Sequence, residues 1–114
     1  MASQSYTNAN LRLFTVEQGS YLLIYKVTLQ NLTASAISLS FFQASISTTN
    51  NALDEDYKTA NMSSQSVTPN FNTSLSGCFY YQNVSGTQKT LYLNYLTTTT
   101  LFTMRGFIQV VRIG

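Results

Sequence analysis

Apolar and polar residues alternate along this chain with a period of two. In "SYLLIYKVTLQNL", Tyr21, Leu23, Tyr25, Val27 and Leu29 fall on one face, with Lys26, Thr28 and Gln30 on the other. That is the pattern of a half-buried strand. Leu22 and Ile24 interrupt it, so both faces are apolar where the strand begins, and that end is expected to be covered twice. "AISLSFFQASIS" repeats the pattern: Ile37, Leu39 and Phe41 share one side, while Phe42, Ala44 and Ile46 share the other. A β-bulge near the "FF" pair would produce this change of side.

"LSGCFYYQNV" and "TLYLNYLTTTT" follow, separated by "SGT", which reads as a short hairpin connection. Leu91, Leu93 and Tyr95 share a face of the second segment. In the closing stretch Phe102, Met104, Ile108 and Val110 point one way around Gly106, and Thr103, Arg105, Phe107 and Gln109 point the other. Gly106 marks a bulge or the close approach of another backbone. A closing segment this apolar and β-branched is expected to be clamped inside a sheet.

Between Asn50 and Asn72 the alternation weakens, which predicts a long loop holding one irregular edge strand. Pro69 and the Thr97 to Thr100 run mark turns. No segment of ten or more residues repeats with the helical period. The pattern predicts an all-β fold, an antiparallel two-sheet sandwich of about eight short strands, over a helical or α/β one.

Composition changes the picture at the surface. The 114 residues make one domain, with residues 1–10 expected to be a flexible start and 11–114 the sandwich. Charged residues are only 9%, against about 25% in an average soluble domain. In their place stand 14 Ser, 16 Thr, 10 Asn and 8 Gln, a neutral polar surface that suits strands better than helices. Eight Tyr and seven Phe provide enough apolar burial to offset the entropy of ordering.

The six bases, Arg12, Lys26, Lys58, Lys89, Arg105 and Arg112, are scattered singly, whereas a nucleic-acid surface gathers them. No nucleic acid is therefore expected as a partner. The longest apolar run, "YLLIY", is far below the roughly 20 residues of a membrane span, and no membrane insertion is expected. "MASQSYTNAN" lacks the basic start and apolar stretch of a signal peptide.

Candidate chemistry is sparse. There is no His and one cysteine, Cys78, which leaves no internal disulfide framework and removes the commonest base and metal ligand. Cys78 lies in "GCFYY" and reads as a buried small hydrophobe. A Ser or Cys nucleophile would lack its usual base. The acids are Glu17, Asp54, Glu55 and Asp56. Three neighbours on one loop neither flank a sugar nor match the spaced ligands of a calcium loop, so a solvated turn is the favoured reading.

Four N-x-S/T sequons, at Asn31, Asn61, Asn72 and Asn83, are little more than so much Asn, Ser and Thr yields by chance. The expectation is a protein that is not an enzyme and that takes no cofactor or metal.

The run "VEQGSYLLIYKVTLQN", then "SAISLSFFQASIS", then "LYLNYLTTTTLFTMRGFIQVVRIG" resembles the small trimeric jelly rolls of tumour-necrosis-factor-like or complement globular-head type. The likeness is closest to versions found on virus and bacteriophage fibres, spikes and capsid surfaces. Gly19, Tyr21, Leu23, Tyr25 and Val27 match the second strand of such domains, and Gly106, Phe107, Ile108, Val110, Arg112 and Ile113 match their last strand. The acidic "DEDY" loop and the scarcity of Gly-rich loops depart from the pattern.

The resemblance implies a homotrimer, with the first and last strands side by side in one sheet. It implies a virion-surface location and a role in host attachment or capsid stabilisation, with other virion proteins and a host-surface glycan or protein as partners. The competing readings are an assembly protein that binds only other virion proteins, and a lectin-like domain. The residues expected to form the trimer interface are Tyr21, Leu22, Ile24, Phe41, Arg105, Phe107 and Gln109. Those expected as exposed ligand contacts are Asp54, Glu55, Asp56, Tyr57, Tyr80, Tyr81 and Asn83.

Overall fold

A computed structural model describes residues 7–50, 52–61, 64–99 and 101–114. Among them nine strands follow in order: β1 (Thr7–Val16), β2 (Gly19–Gln30), β3 (Ile37–Leu39), β4 (Phe42–Ser47), β5 (Lys58–Asn61), β6 (Gln65–Val67), β7 (Asn72–Asn83), β8 (Lys89–Thr97) and β9 (Thr103–Arg112). One 3-10 turn, Glu55–Tyr57, precedes β5. Four strands form a sheet in the order β1-β8-β4-β5, three form a second in the order β7-β2-β9, and β3 pairs with β6. Every pairing is antiparallel. The protein is an all-β sandwich.

The alternation in β2 does what the sequence implies. Tyr21, Leu23, Tyr25, Val27 and Leu29 are all buried in the core, beside Phe42, Ala44 and Ile46 of β4 and Leu91 and Leu93 of β8. Burying one such side chain stabilises by about 1.5–3 kcal/mol, so this one strand supplies much of the core. Tyr25 also crosses it. Its hydroxyl lies 2.9 Å from the Tyr57 carbonyl oxygen, 3.1 Å from that of Ala44 and 3.2 Å from Thr59 Oγ1, so a residue of β2 is tied to the opposite sheet. Directly across from Tyr25 in the ladder stands Gly77. A Cβ there would meet Phe79 Cε2 at 2.6 Å and Tyr25 Cε2 at 2.9 Å, so glycine leaves the space in which those two rings stack.

Several expectations are corrected. The change of side at Phe41–Phe42 is a change of sheet and not a bulge, since β3 pairs with β6 while β4 pairs with β5 and β8. The "SGT" connection is not a hairpin. It carries the chain from β7 in one sheet to β8 in the other. The Asn50 to Asn72 segment holds two short strands and a 3-10 turn, where one edge strand was expected. Residues 7–10, read as part of a flexible start, belong to β1.

The first and last strands do not lie side by side. β1 pairs with β8, and β9 pairs with β2 over a ten-residue register. Both are edge strands on the same side of the sandwich, in opposite sheets. β9 is nevertheless held to its end: Ile113 N donates to the Ser20 carbonyl (2.8 Å), Ser20 N to the Gly114 carbonyl (3.1 Å), and Arg112 Nη2 to the Gln18 carbonyl (2.7 Å).

Two turns share one design. In "NLTAS" the buried Asn31 donates from Nδ2 to the carbonyls of Ser35 and Val67, and its Oδ1 accepts from Thr33 N. In "NVSGT" the buried Asn83 donates to the carbonyls of Thr87 and Val16 and accepts from Ser85 N. Each asparagine satisfies backbone groups that a loop would otherwise bury unpaired. Two of the four sequons are thus internal plugs, and Asn61 has no described side chain. Pro69 sits in a turn closed by Phe71 N donating to the Thr68 carbonyl (3.1 Å), with Asn70 at φ 67°, a conformation asparagine tolerates.

Candidate functional site

Period two sends the other half of each strand in the three-stranded sheet outward. The register places Tyr80, Leu22 and Val111 in one row, Cys78, Ile24 and Gln109 in the next, and Ser76, Lys26 and Phe107 in the third. Ser74, Thr28 and Arg105 complete a fourth, where Thr28 Oγ1 and Ser74 Oγ are hydrogen-bonded at 2.9 Å. Phe107 is 55% exposed and Tyr80 53%. Leu22, Ile24 and Val111 are half-buried. The result is an apolar patch at one end of a sheet face, with Lys26 and Arg105 beside it and no acid on the face.

Five of the seven expected interface residues, Leu22, Ile24, Arg105, Phe107 and Gln109, share this face. Tyr21 and Phe41 do not. Tyr21 has the parity of Leu23 and is buried in the core, with its hydroxyl donating to the Glu17 carbonyl at 2.7 Å and the Arg112 guanidinium over its ring. Phe41 is buried at the switch between β3 and β4. Cys78, expected to be buried, is exposed on the outward face.

The expected ligand contacts are divided by the fold. Tyr81 is only 9% exposed and Asn83 2%, so neither is a surface contact: their parity turns them into the sandwich. Tyr80 points out on the opposite side of the same strand and donates to Ser20 Oγ at 3.0 Å. Asp54, Glu55, Asp56 and Tyr57 stay together on the turn before β5. There Asp54 Oδ1 accepts from Asp56 N, Asp54 N donates to Ser45 Oγ, and Glu55 pairs with Lys58 at 2.7 Å. Tyr57 packs edge-on against Phe79 and Tyr81. Its phenol is shifted upward, first by burial and then by the charges of Asp54, Tyr81 and Asp56.

Comparison of the chain with family models, with curated proteins and with solved structures finds no match.

A second concavity opens where the two edge strands β1 and β9 face each other. This groove of about 350 Å³ is lined by Arg12, Leu13, Phe14, Gly106, Phe107, Ile108 and Val110. Arg12 Nε donates to the Gly106 carbonyl at 3.1 Å, and the β2–β9 register runs through Gly106 without a bulge. Phe107 belongs to both the groove and the outward face, so the two form one continuous surface.

Among the described residues, no group of three or more His, Cys, Asp or Glu is placed to hold a metal ion. What the surface offers is apolar contact, neutral hydrogen bonding and three bases, Arg12, Lys26 and Arg105. Sequence reasoning missed Val111 and Cys78 as members of the face. Both follow from parity alone, counted from Phe107 and from Tyr80.

Proposed function

We propose that this chain is a non-enzymatic structural module of a virion surface that works as a homotrimer, assembling through the outward face of the β7-β2-β9 sheet. The observation that carries this reading is the apolar patch of Leu22, Ile24, Val111, Tyr80 and Phe107, on strands whose opposite faces already fill the core. Apolar surface beyond what one sandwich needs is the mark of an interaction site, and soluble assemblies are mostly copies of one chain.

The virion-surface role rests on the resemblance of "GSYLLIYKV" and "GFIQVVRI" to trimeric jelly rolls of viral fibres, spikes and capsid proteins. The passages between sheets, β1 to β2 and β7 to β8, favour a jelly-roll path. Capsid stabilisation is the better-supported task than host attachment, because the aromatic and amide groups suited to a glycan do not gather: Tyr81 and Asn83 are internal. The test is solution mass by light scattering across a dilution series. A mass of three chains at every dilution is the expected result, and a single-chain mass overturns the proposal.

A further inference from the structure

The outward face carries Lys26, directly opposite Phe107 in the register, and Arg105, two residues before Phe107 on β9, and none of the chain's four acids. Two copies meeting face to face through this surface would set four bases against one another across an apolar contact, and like charges brought together at an interface oppose association. The surface that covers this face must therefore be neutral or acidic.

The chain has such a surface on its other side. β5 is the edge opposite β1 in one sheet, and β7 is the edge opposite β9 in the other. Along that opposite side runs the turn of Asp54, Glu55 and Asp56, three acids against the one base Lys58. Glu55 and Asp56 are exposed, and the turn is flanked by the half-buried Leu53 and Tyr57. It has an apolar component as well as charge.

We infer that the occupant of the Phe107 face and the adjoining groove is the acidic turn, Asp54 to Asp56, of a second copy of this chain. Two different patches on opposite sides of one molecule make a heterologous, head-to-tail contact, the kind that closes into a ring. Apolar contact of Leu22, Ile24 and Phe107 holds the interface, while Lys26 and Arg105 select the acidic side of the neighbour over its equivalent face. This inference rests on the homotrimer proposed above and names the two surfaces that meet in it.

The test uses the full chain and three variants: Lys26→Glu with Arg105→Glu, Glu55→Lys with Asp56→Lys, and all four together. All four positions are exposed, Glu55→Lys gives up the ion pair with Lys58, and far-UV circular dichroism with a thermal melt checks that each variant folds. Mass is read by light scattering at low and at physiological salt. The expected result is a trimer for the parent chain, association weakened roughly tenfold or more in each double variant, and recovery in the quadruple variant.

If the parent and both double variants remain equally trimeric, or only one double variant dissociates, the acidic turn is not the occupant and the homotrimer stands. If both dissociate and the quadruple variant does not recover, the two patches are not partners and the inference is overturned. A parent chain that is monomeric overturns the homotrimer itself and this inference with it.

Discussion

The two open sides of the sandwich are built from the same kind of element and finished differently. Where β5 faces β7, rings close the gap. Tyr25 and Phe79 stack at 5.9 Å, and Tyr57 meets Phe79 and Tyr81 edge-on, each at 5.9 Å. Where β1 faces β9, the sheets stand apart. A groove remains, with Leu13 60% exposed and Arg12 reaching across to the Gly106 carbonyl. A sandwich edge needs protection from unwanted strand pairing, and one side obtains it by burial while the other obtains it from a charged side chain. The closed side carries ring packing between the sheets, and the open side leaves apolar surface uncovered.

The strongest way to break that contrast is to truncate one residue on each side. Phe79→Ala removes the ring that touches both Tyr25 and Tyr57 and is expected to cost about 3 kcal/mol, the low end for a Phe deletion because the residue is half-buried. Leu13→Ala on the open side is expected to stay within about 0.5 kcal/mol, as for an exposed position. Urea unfolding of both variants checks this. Equal losses would mean that the groove side also holds the sheets together.

Period two made most of the fold legible. It put Tyr21 to Leu29 in the core, and it separated Met104, Ile108 and Val110 from Arg105, Phe107 and Gln109 on β9. Parity is relative within a strand, so it could also have placed Tyr21 with Leu23 and Tyr81 with Phe79, away from any surface contact. What parity cannot report is which strands become neighbours. β1–β8 and β2–β9 join residues from far ends of the chain, such as Thr7 with Thr97 and Tyr21 with Arg112, and nothing local in "SGT" distinguishes a hairpin from a passage between sheets.

The polar plugs were visible in outline. Asn31 and Asn83 each precede Ser or Thr at the second and fourth following positions, in "NLTAS" and "NVSGT". As sequons they carried no weight, and Asn83 was expected as an exposed ligand contact. Their amides instead face carbonyls from distant strands, a long-range demand that the local motif does not show. The outward face was partly foreseen, because Leu22, Ile24 and Phe107 exceed what a half-buried strand requires. The acidic turn was foreseen as a solvated feature, and its position on the side away from the β1–β9 groove emerges only from the strand order.

A smaller effect sharpens the comparison at the end of the sandwich where β7 of the closed side meets β1 of the open side. Asn83 Nδ2 donates to the Val16 carbonyl, tying β7 of one sheet to the last residue of β1 in the other. Asn83→Ala strands that carbonyl, the Thr87 carbonyl and Ser85 N, and is expected to cost about 2 kcal/mol. Hydrogen exchange should show the loss locally, with amides near Val16 exchanging faster while those of β5 keep their protection. Uniform acceleration in β1 and β5 alike would mean that the plug supports the whole sandwich and not the open side alone.

The gentlest probe leaves neutral pH untouched. Burial raises the phenol of Tyr25 against the opposing hydrogen bonds from Thr59, and burial likewise raises Tyr57, Tyr81 and Tyr95. A phenol raised in the folded chain stays protonated there while the unfolded chain ionises near pH 10. Its stabilising contribution is complete below pH 10 and is lost as pH climbs from there through the folded value. Three of these four rings belong to the closed side. Absorbance at 295 nm is therefore expected to show the Tyr25, Tyr57 and Tyr81 rings ionising only as circular dichroism reports loss of the fold. Ionisation of this cluster near pH 10, with the strands intact, would mean that water reaches it and that the two sides differ less than their packing implies.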